Sequence, residues 1–274
     1  MPYIKIIRPI NLIFVIITTL FGSLYQKANM LNGYVIFAFL SAAIITAAGY
    51  VVNDYFDRNI DKINRPDRMI PAGKISPYSA YLYAMFLFIV GLSLSFFTAK
   101  FACVAMAFIN TILLFFYAKK YKNGFLLGNI IVAYAAASTF VYGAFVTNNI
   151  KNIIAVSVVA FLFTLIREFI KDAQDYEGDK KMNARTIAVV WGREKTVLAS
   201  IYVVILLFIT LLVLYKMRFF SLKSAVLLFV LVILPVFLVL KDLLKKINDR
   251  NFKVTSHFLK FEMLLVLIVF LVGR

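Results

Sequence analysis

One cysteine and one histidine in 274 residues remove two large classes of chemistry. Cys103 stands alone inside an apolar run, which excludes an intrachain disulfide and a cysteine-based zinc cluster. His257, flanked by Lys253 and Lys260, is read as an interfacial residue at the start of an apolar run rather than as a catalyst. Acids are scarce as well, with 13 Asp and Glu against 30 Lys and Arg, so any cluster of them is informative. No low-complexity linker, charged tail or polar domain interrupts the chain, so residues 1–274 are read as a single domain. The opening MPYIKIIRPINLIF has no small-residue cleavage site after its apolar run and is not read as a cleaved signal.

Apolar residues are what the chain has in excess. They make up 63% of it, mean hydropathy is +0.89, and 28 phenylalanines are present, a composition of the membrane class. Runs long enough to cross a hydrocarbon core of about 30 Å recur at 9–26, 34–54, 78–98, 101–118, 125–147, 152–171, 197–215, 222–240 and 257–272. The expected fold is an all-α membrane protein of about nine transmembrane helices, with cytoplasmic cap loops. With the N-terminus in the cytoplasm, 23 of the 30 Lys and Arg fall on that side, leaving Lys27, Lys100, Lys151, Lys216, Arg218, Lys223 and Arg274 on the other. That is the positive-inside bias, and all 13 acids are assigned to the same side. The reading is a multi-pass cell-membrane protein whose polar chemistry faces the cytoplasm. The net charge of +17 follows from this topology and from attraction to anionic headgroups, while short basic loops between spans argue against nucleic acid. No obligate protein partner is inferred.

The acids are not scattered. Asp54, Asp57 and Asp61 form D-x2-D-x3-D, and Asp172, Asp175 and Asp179 repeat it residue for residue at an offset of 118. On a helix these spacings put three carboxylates on one stripe. The offset implies two related halves, roughly 1–118 and 119–240, with the helix at 257–272 added. Asn53 adds a neutral oxygen ligand one turn before Asp57, and Asp54 is the weakest ligand candidate because Asn53 and Asp57 turn it off their shared face. Carboxylates brought together repel unless divalent cations lie between them. Arg58, Lys62, Arg65 and Arg68 interleave with the first triplet; Lys171, Lys180, Lys181 and Arg185 with the second. Carboxylates for magnesium beside cations for phosphate oxygens make a diphosphate site.

The surroundings suit that reading. The stretch 62–77, with Pro66, Pro71, Pro77 and Gly73, is expected to be an ordered cap holding at most a short helix. The stretch 177–195 carries an apolar segment, Ile187–Trp191, between Gly178 and Gly192, and both loops are long enough to act as lids. Tyr50, Tyr55, Phe56, Phe115, Phe116, Tyr117, Phe163 and Phe169 lie on the cytoplasmic halves of the spans, where aromatic faces can stabilise an allylic cation, although bundle packing or the interfacial aromatic belt accounts for any single one of them. Gly49 is placed to admit a neighbouring helix, and Pro235 to kink its own.

The motifs resemble the paired signatures of the intramembrane prenyltransferases of the UbiA superfamily: Asn53-Asp54-x2-Asp57-x3-Asp61 the first, Asp172-x2-Asp175-x3-Asp179 the second. Arg8-Pro9, Tyr117-Ala118-Lys119-Lys120 and Thr186–Gly192 support the likeness, which covers essentially the whole chain. The resemblance implies Mg²⁺ on Asn53, Asp57, Asp61, Asp172, Asp175 and Asp179, with Arg58 and Lys119 or Lys120 gripping the diphosphate. Asp57, Asp61, Asp175, Asp179 and Arg58 are then the catalytic set. Within the family, a short chain without extensions most resembles the archaeal branch that joins geranylgeranyl diphosphate to geranylgeranylglyceryl phosphate. That acceptor needs cations of its own, and Arg8, Arg65, Arg68 and Lys74 are available. The runner-up acceptor is an aromatic ring such as 4-hydroxybenzoate. A CDP-alcohol phosphotransferase fails because Asp54-Tyr55 and Asp172-Ala173 lack the glycine its motif requires. A cation transporter fits poorly, since its ionisable groups belong near mid-bilayer.

Overall fold

The computed structural model describes residues 1–25, 32–147 and 150–272. The end of the first expected span at 26, and the far-side cations Lys27 and Arg274, lie outside the described residues. Every regular element among those described is helical. The chain divides into two compact units, Met1–Lys122 with Ser138–Ile153, and Asn123–Ala137 with Ile154–Arg274. The expected break at 118/119 lies close to the first boundary, at 122/123, but residues 138–153 return to the first unit, so that two more boundaries fall inside the helices Leu127–Phe145 and Lys151–Gln174. Hydropathy carries no mark of such a boundary, because each helix is apolar on both sides of it.

The first unit begins with α1 (Pro2–Ile6), α2 (Pro9–Leu24), α3 (Gly33–Phe56), α4 (Arg58–Asn64), α5 (Pro77–Phe96) and α6 (Phe101–Phe116). A π-helical turn, Tyr117–Tyr121, closes α6. Local chemistry sets these ends. The Asn32 side chain accepts from the Tyr34 amide at the start of α3, and Ser76 accepts from the Ser79 amide with Pro77 at the first position of α5. The connection at 99–100, almost too short to turn, is managed by Ala99 in the left-handed region at φ 53°. Central in this unit is α3, packed on α2, α5 and α6. Small residues let backbones approach: a Cβ on Gly22 would overlap the Phe140 carbonyl, and one on Gly143 would overlap that of Thr19. Hydroxyls join the helices where no water competes, Ser41 donating to the Gly91 carbonyl (2.7 Å) and Ser23 to that of Gly143 (2.9 Å). Gly49 does admit a neighbour: a Cβ there would stand 3.2 Å from Leu114 Cδ1.

The second unit holds most of α7 (Leu127–Phe145) up to Ala137 and α8 (Lys151–Gln174) from Ile154. There follow α9 (Tyr176–Lys181), α10 (Ile187–Trp191), α11 (Arg193–Lys216), α12 (Leu222–Leu228), α13 (Leu234–Lys245) and α14 (Asp249–Val272). A π-helical stretch, Phe229–Ile233, joins α12 to α13 directly before Pro235. The proline has no N–H to donate, which leaves a carbonyl of the preceding turn without its helical partner.

Among the described residues eight helices are long and apolar enough to cross a membrane, counting Leu222–Lys245 as one, and Pro9–Leu24 is a shorter apolar ninth. The chain is thus a multi-pass membrane protein of the expected all-α class. At 16 residues α2 reaches about 24 Å, short of a full hydrocarbon core. The last span differs most from expectation: α14 starts at Asp249, so His257 lies within the helix rather than opening it. Glu262, counted with the cytoplasmic acids, is buried thirteen residues into α14, about 20 Å from its start.

Candidate active site

Both acidic triplets sit on the same local backbone. In the first, α3 ends at Phe56, Asp57 occupies the junction at φ −79° and ψ −4°, and α4 follows. In the second, α8 ends at Gln174, Asp175 occupies the junction at φ −86° and ψ 4°, and α9 follows. Hydrogen bonding of the helical i→i−4 type runs through each junction: Asp57 N to Asn53 O and Asp61 N to Asp57 O, then Asp175 N to Lys171 O and Asp179 N to Asp175 O, all 2.9–3.0 Å. The sequence repeat is therefore a repeat of structure, and each triplet keeps the single stripe its spacing implied.

The carboxylates of the first unit are buried and neutralised. Asp54, Asp57 and Asp61 are each only 4% exposed. Arg8 Nη2 meets Asp54 Oδ1 at 2.5 Å, while Arg68 Nη1 lies 3.1 Å from that oxygen and 2.5 Å from Asp61 Oδ2. Asp57 Oδ2 accepts from Lys122 Nζ and, at 2.8 Å, from Asn53 Nδ2. Burial of three carboxylates without such partners would cost several kcal/mol each. Asp54 is the most completely committed, bridging two arginines, in keeping with its exclusion from the ligand set.

Lys122 is the residue that sequence reasoning missed. Lys119 and Lys120 were expected at the diphosphate; both are exposed, and Lys120 Nζ lies 5.7 Å from the Tyr121 ring centre. The π-helical turn explains the difference. It closes with an i→i+5 bond from Lys122 N to Tyr117 O, adding about one residue to the turn, so that Lys122 comes round to Asp57. Arg58 is held on its own helix end, donating to the Tyr55 carbonyl (2.8 Å) with its guanidinium 4.7 Å from the Tyr55 ring centre. Tyr55, Phe56, Phe115 and Phe116 form a chain of ring contacts 5.1–6.0 Å apart in the same unit.

The second unit balances its charge differently. Asp172 Oδ2 accepts from a neutral amide, Asn129 Nδ2 (2.9 Å), and Asp179 Oδ2 accepts from Thr186 Oγ1 (3.2 Å). Among the described residues no cation pairs with Asp172 or Asp175. The nearby cations Arg167 and Lys171 pair instead with Glu168 (2.8 and 3.3 Å), a 4% exposed acid one turn before Asp172. Glu168 extends the stripe of the second triplet and was also missed; its i−4 spacing from Asp172 is the signal that identifies it. The two loops are ordered caps. The first is anchored by buried Ile70 and Ile75, the second by buried Ile187 and Ala188 of α10, whose Trp191 packs on Phe125.

Asn53 Oδ1 is buried without a hydrogen-bond partner, beside the carboxylate of Asp57. A neutral oxygen and carboxylates one turn apart are the donor set of a hard divalent cation. Among the described residues no group of three or more His, Cys, Asp or Glu is already gathered around a single point, so a cation there must draw the donors inward.

Of the acceptor cations, Arg8, Arg65 and Arg68 line one cavity of about 410 Å³ in the first unit, together with Lys5, Ile6, Asp54, Pro66, Asp67 and Met69. Lys74 is not among its walls.

Comparison with known proteins agrees with these features. The chain is 33% identical to the digeranylgeranylglyceryl phosphate synthase of Methanosphaera stadtmanae, over 99% of this chain and 98% of that one. Its fold superposes on a solved structure of digeranylgeranylglyceryl phosphate synthase with a TM-score of 0.83 and 31% identity, covering 99% of this chain and 97% of that one. A UbiA homologue from Archaeoglobus fulgidus, solved bound to GPP and Mg²⁺, has a TM-score of 0.78 at 17% identity, covering 100% and 99% of the two chains, a likeness of fold alone. A model of the UbiA prenyltransferase family matches residues 15–265. With both signatures on matching backbones and a match along nearly its whole length, the chain belongs to the UbiA prenyltransferase family.

Proposed function

We propose that this protein transfers the geranylgeranyl group of geranylgeranyl diphosphate to the free hydroxyl of geranylgeranylglyceryl phosphate, with Mg²⁺ as cofactor. The bond between C1 of the prenyl chain and the diphosphate oxygen breaks, an ether bond forms from the acceptor oxygen to C1, and the hydroxyl proton leaves to a base. The observation that carries the reading is the duplicated helix–aspartate–helix junction, in a chain similar over nearly its full length to synthases of that lipid. Bound Mg²⁺ would neutralise the charge that grows on the departing diphosphate.

In this reading Asn53, Asp57 and Asp61 hold cations from the first unit, and Asp172, Asp175 and Asp179 from the second. The second triplet has the greater need of a metal, because among the described residues Asp172 and Asp175 form no ion pair. Arg58, Lys119 and Lys120 are assigned to the diphosphate, together with Lys122, whose ammonium would be freed if a metal took Asp57. The aromatic chain from Tyr55 to Phe116 offers ring faces to an allylic cation and keeps water from it. We orient the acidic motifs toward the cytoplasm, on the positive-inside distribution of Lys and Arg.

The test is direct. Purified protein with Mg²⁺ and geranylgeranyl diphosphate is offered geranylgeranylglyceryl phosphate, its dephosphorylated analogue and 4-hydroxybenzoate, and products are identified by mass spectrometry. The diether phosphate is the expected product. Preferential prenylation of 4-hydroxybenzoate would move the chain to the aromatic branch.

A further inference from the structure

The cavity lined by Lys5, Arg8, Arg65 and Arg68 belongs to neither triplet's metal ligands. Its walls carry four cations and two carboxylates, Asp54 and Asp67, a formal excess of two positive charges. Within it the cations divide into two pairs. Arg8 and Arg68 are both tied to Asp54 Oδ1, and Arg68 also to Asp61, while Lys5 and Arg65 are exposed and form no ion pair among the described residues. Ile6, Pro66 and Met69 supply apolar wall beside them.

The backbone is bent to make this arrangement. Arg8 adopts φ 54° and ψ 66°, the left-handed region, immediately before Pro9. A non-glycine residue there is strained by roughly 1–3 kcal/mol, and such strain persists only where surrounding contacts fix it. Here the Asp54 ion pair and the Tyr50 ring, 4.9 Å from the Arg8 guanidinium, hold the side chain in place. The turn between α1 and α2 thus aims Arg8 back across α3, into the cavity wall.

We infer that this cavity is the subsite for the phosphate monoester of the lipid acceptor, with Lys5 and Arg65 as its contacting cations and Asp54 as the residue that positions Arg8 and Arg68. The inference rests on the proposed acceptor and deepens it. A phosphate monoester carries roughly −1.5 to −2 charges at pH 7, the complement of the excess on the walls. The volume lies within the range of small-molecule pockets. Asp54 holds both guanidiniums in the cavity wall, while Lys5 and Arg65, tied to no carboxylate among the described residues, are left to the second anion. It also gives the first position of the triplet a task other than metal binding, which the sequence spacing alone conceals.

The test separates acceptor from donor. In a Lys5→Gln/Arg65→Gln variant, KM for geranylgeranylglyceryl phosphate should rise about tenfold or more, the scale of a lost charged hydrogen bond, with KM for geranylgeranyl diphosphate within about twofold of the parent. The preference for phosphorylated over dephosphorylated acceptor should fall by the same factor, and Arg65→Lys should retain most of it. Inorganic phosphate should inhibit the parent enzyme in competition with the acceptor and not with the donor, at concentrations far above those of the lipid. Asp54→Asn should raise KM for the acceptor, because it loosens Arg8 and Arg68 in the cavity wall. Donor KM rising as much as acceptor KM in the Lys5/Arg65 variant, competition of phosphate with the donor, or an unchanged acceptor KM in Asp54→Asn overturns the subsite and leaves the reaction standing. No turnover of the phosphorylated acceptor by the parent overturns both.

Discussion

Lys122 stands where a divalent cation would bind, and that makes its removal informative. Its ammonium pairs with Asp57, whose side chain is 6% exposed while that of Lys122 is 34% exposed. Removing one partner of a fully buried pair costs roughly 3–5 kcal/mol. Lys122 is about a third exposed, so solvent screening reduces the expected loss to about 1–2 kcal/mol. Lys122→Met keeps the aliphatic stem and deletes only the charge. In EDTA the variant should therefore melt on the order of 5 °C below the parent, given about 2–4 °C per kcal/mol for chains approaching this size. Saturating Mg²⁺ should behave differently: the metal supplies the missing charge, and in the variant it has no ammonium to displace. Linkage then requires the variant to gain more from Mg²⁺ than the parent does, so the difference in Tm should shrink to about 1–2 °C. Thermal unfolding in detergent, followed by intrinsic fluorescence or by aggregation, reads both conditions. An equal difference with and without Mg²⁺, or none in EDTA, would refute the claim that Lys122 and the metal share Asp57.

Three further outcomes are expected. Asp57→Ala and Asp175→Ala should each lose most turnover while the protein stays folded in detergent, and full activity of either variant, or of the parent in EDTA, would remove the two-motif metal site. Arg58→Ala, and separately a Lys119/Lys120 double alanine variant, should raise donor KM, lower kcat, or both, because their contact with the diphosphate strengthens as the leaving group gains charge; unchanged donor kinetics would reject them. Gly22→Ala should lower Tm and shorten the lifetime in detergent, since its methyl would overlap the Phe140 carbonyl and force α2 away from α7, a strain of about 1–3 kcal/mol; a neutral effect would show that the contact yields easily.

The parts legible in the sequence were those written in periodic spacing. The two triplets predicted their stripes because a helical spacing survives any tertiary context, and the apolar runs predicted spans because the bilayer permits little else. The cap at 62–77 was marked by its prolines, and the cramped link at 99–100 by its length, although nothing singled out Ala99 as the residue that turns it. What escaped detection depended on local departures from regularity. A π-helical turn carries no strong composition, so Lys122 was hidden behind Lys119 and Lys120. The early start of α14 was concealed by polar residues from Asp249 to His257, which read as loop on hydropathy yet continue a helix already committed by its apolar end. Glu168 was passed over because it precedes the motif rather than belonging to it, and the division of α7 between the two units has no sequence signal at all. Arg8 illustrates the middle case: Arg-Pro was visible, its pairing with Asp54 was not.

The helical hydrogen bonds that carry the chain across Asp57 and across Asp175 bear on when the reaction's entropy is lost. From Asp54 to Asp61 the backbone rises about 10 Å on a fixed screw, so the spacing of the carboxylates is settled when the helix forms and not when substrate arrives. A ligand set carried by flexible loops would have to be gathered again in every cycle, and each gathering would slow the chemical step. Here the backbone of each triplet is ordered when its helices form. On the proposed metal site, what would remain is to draw the side chains about a cation, with the Lys122 ammonium giving up Asp57. The same rigidity limits what the enzyme can become: insertion of a single residue between Asp57 and Asp61 would turn the last carboxylate by about 100° and take it off the stripe.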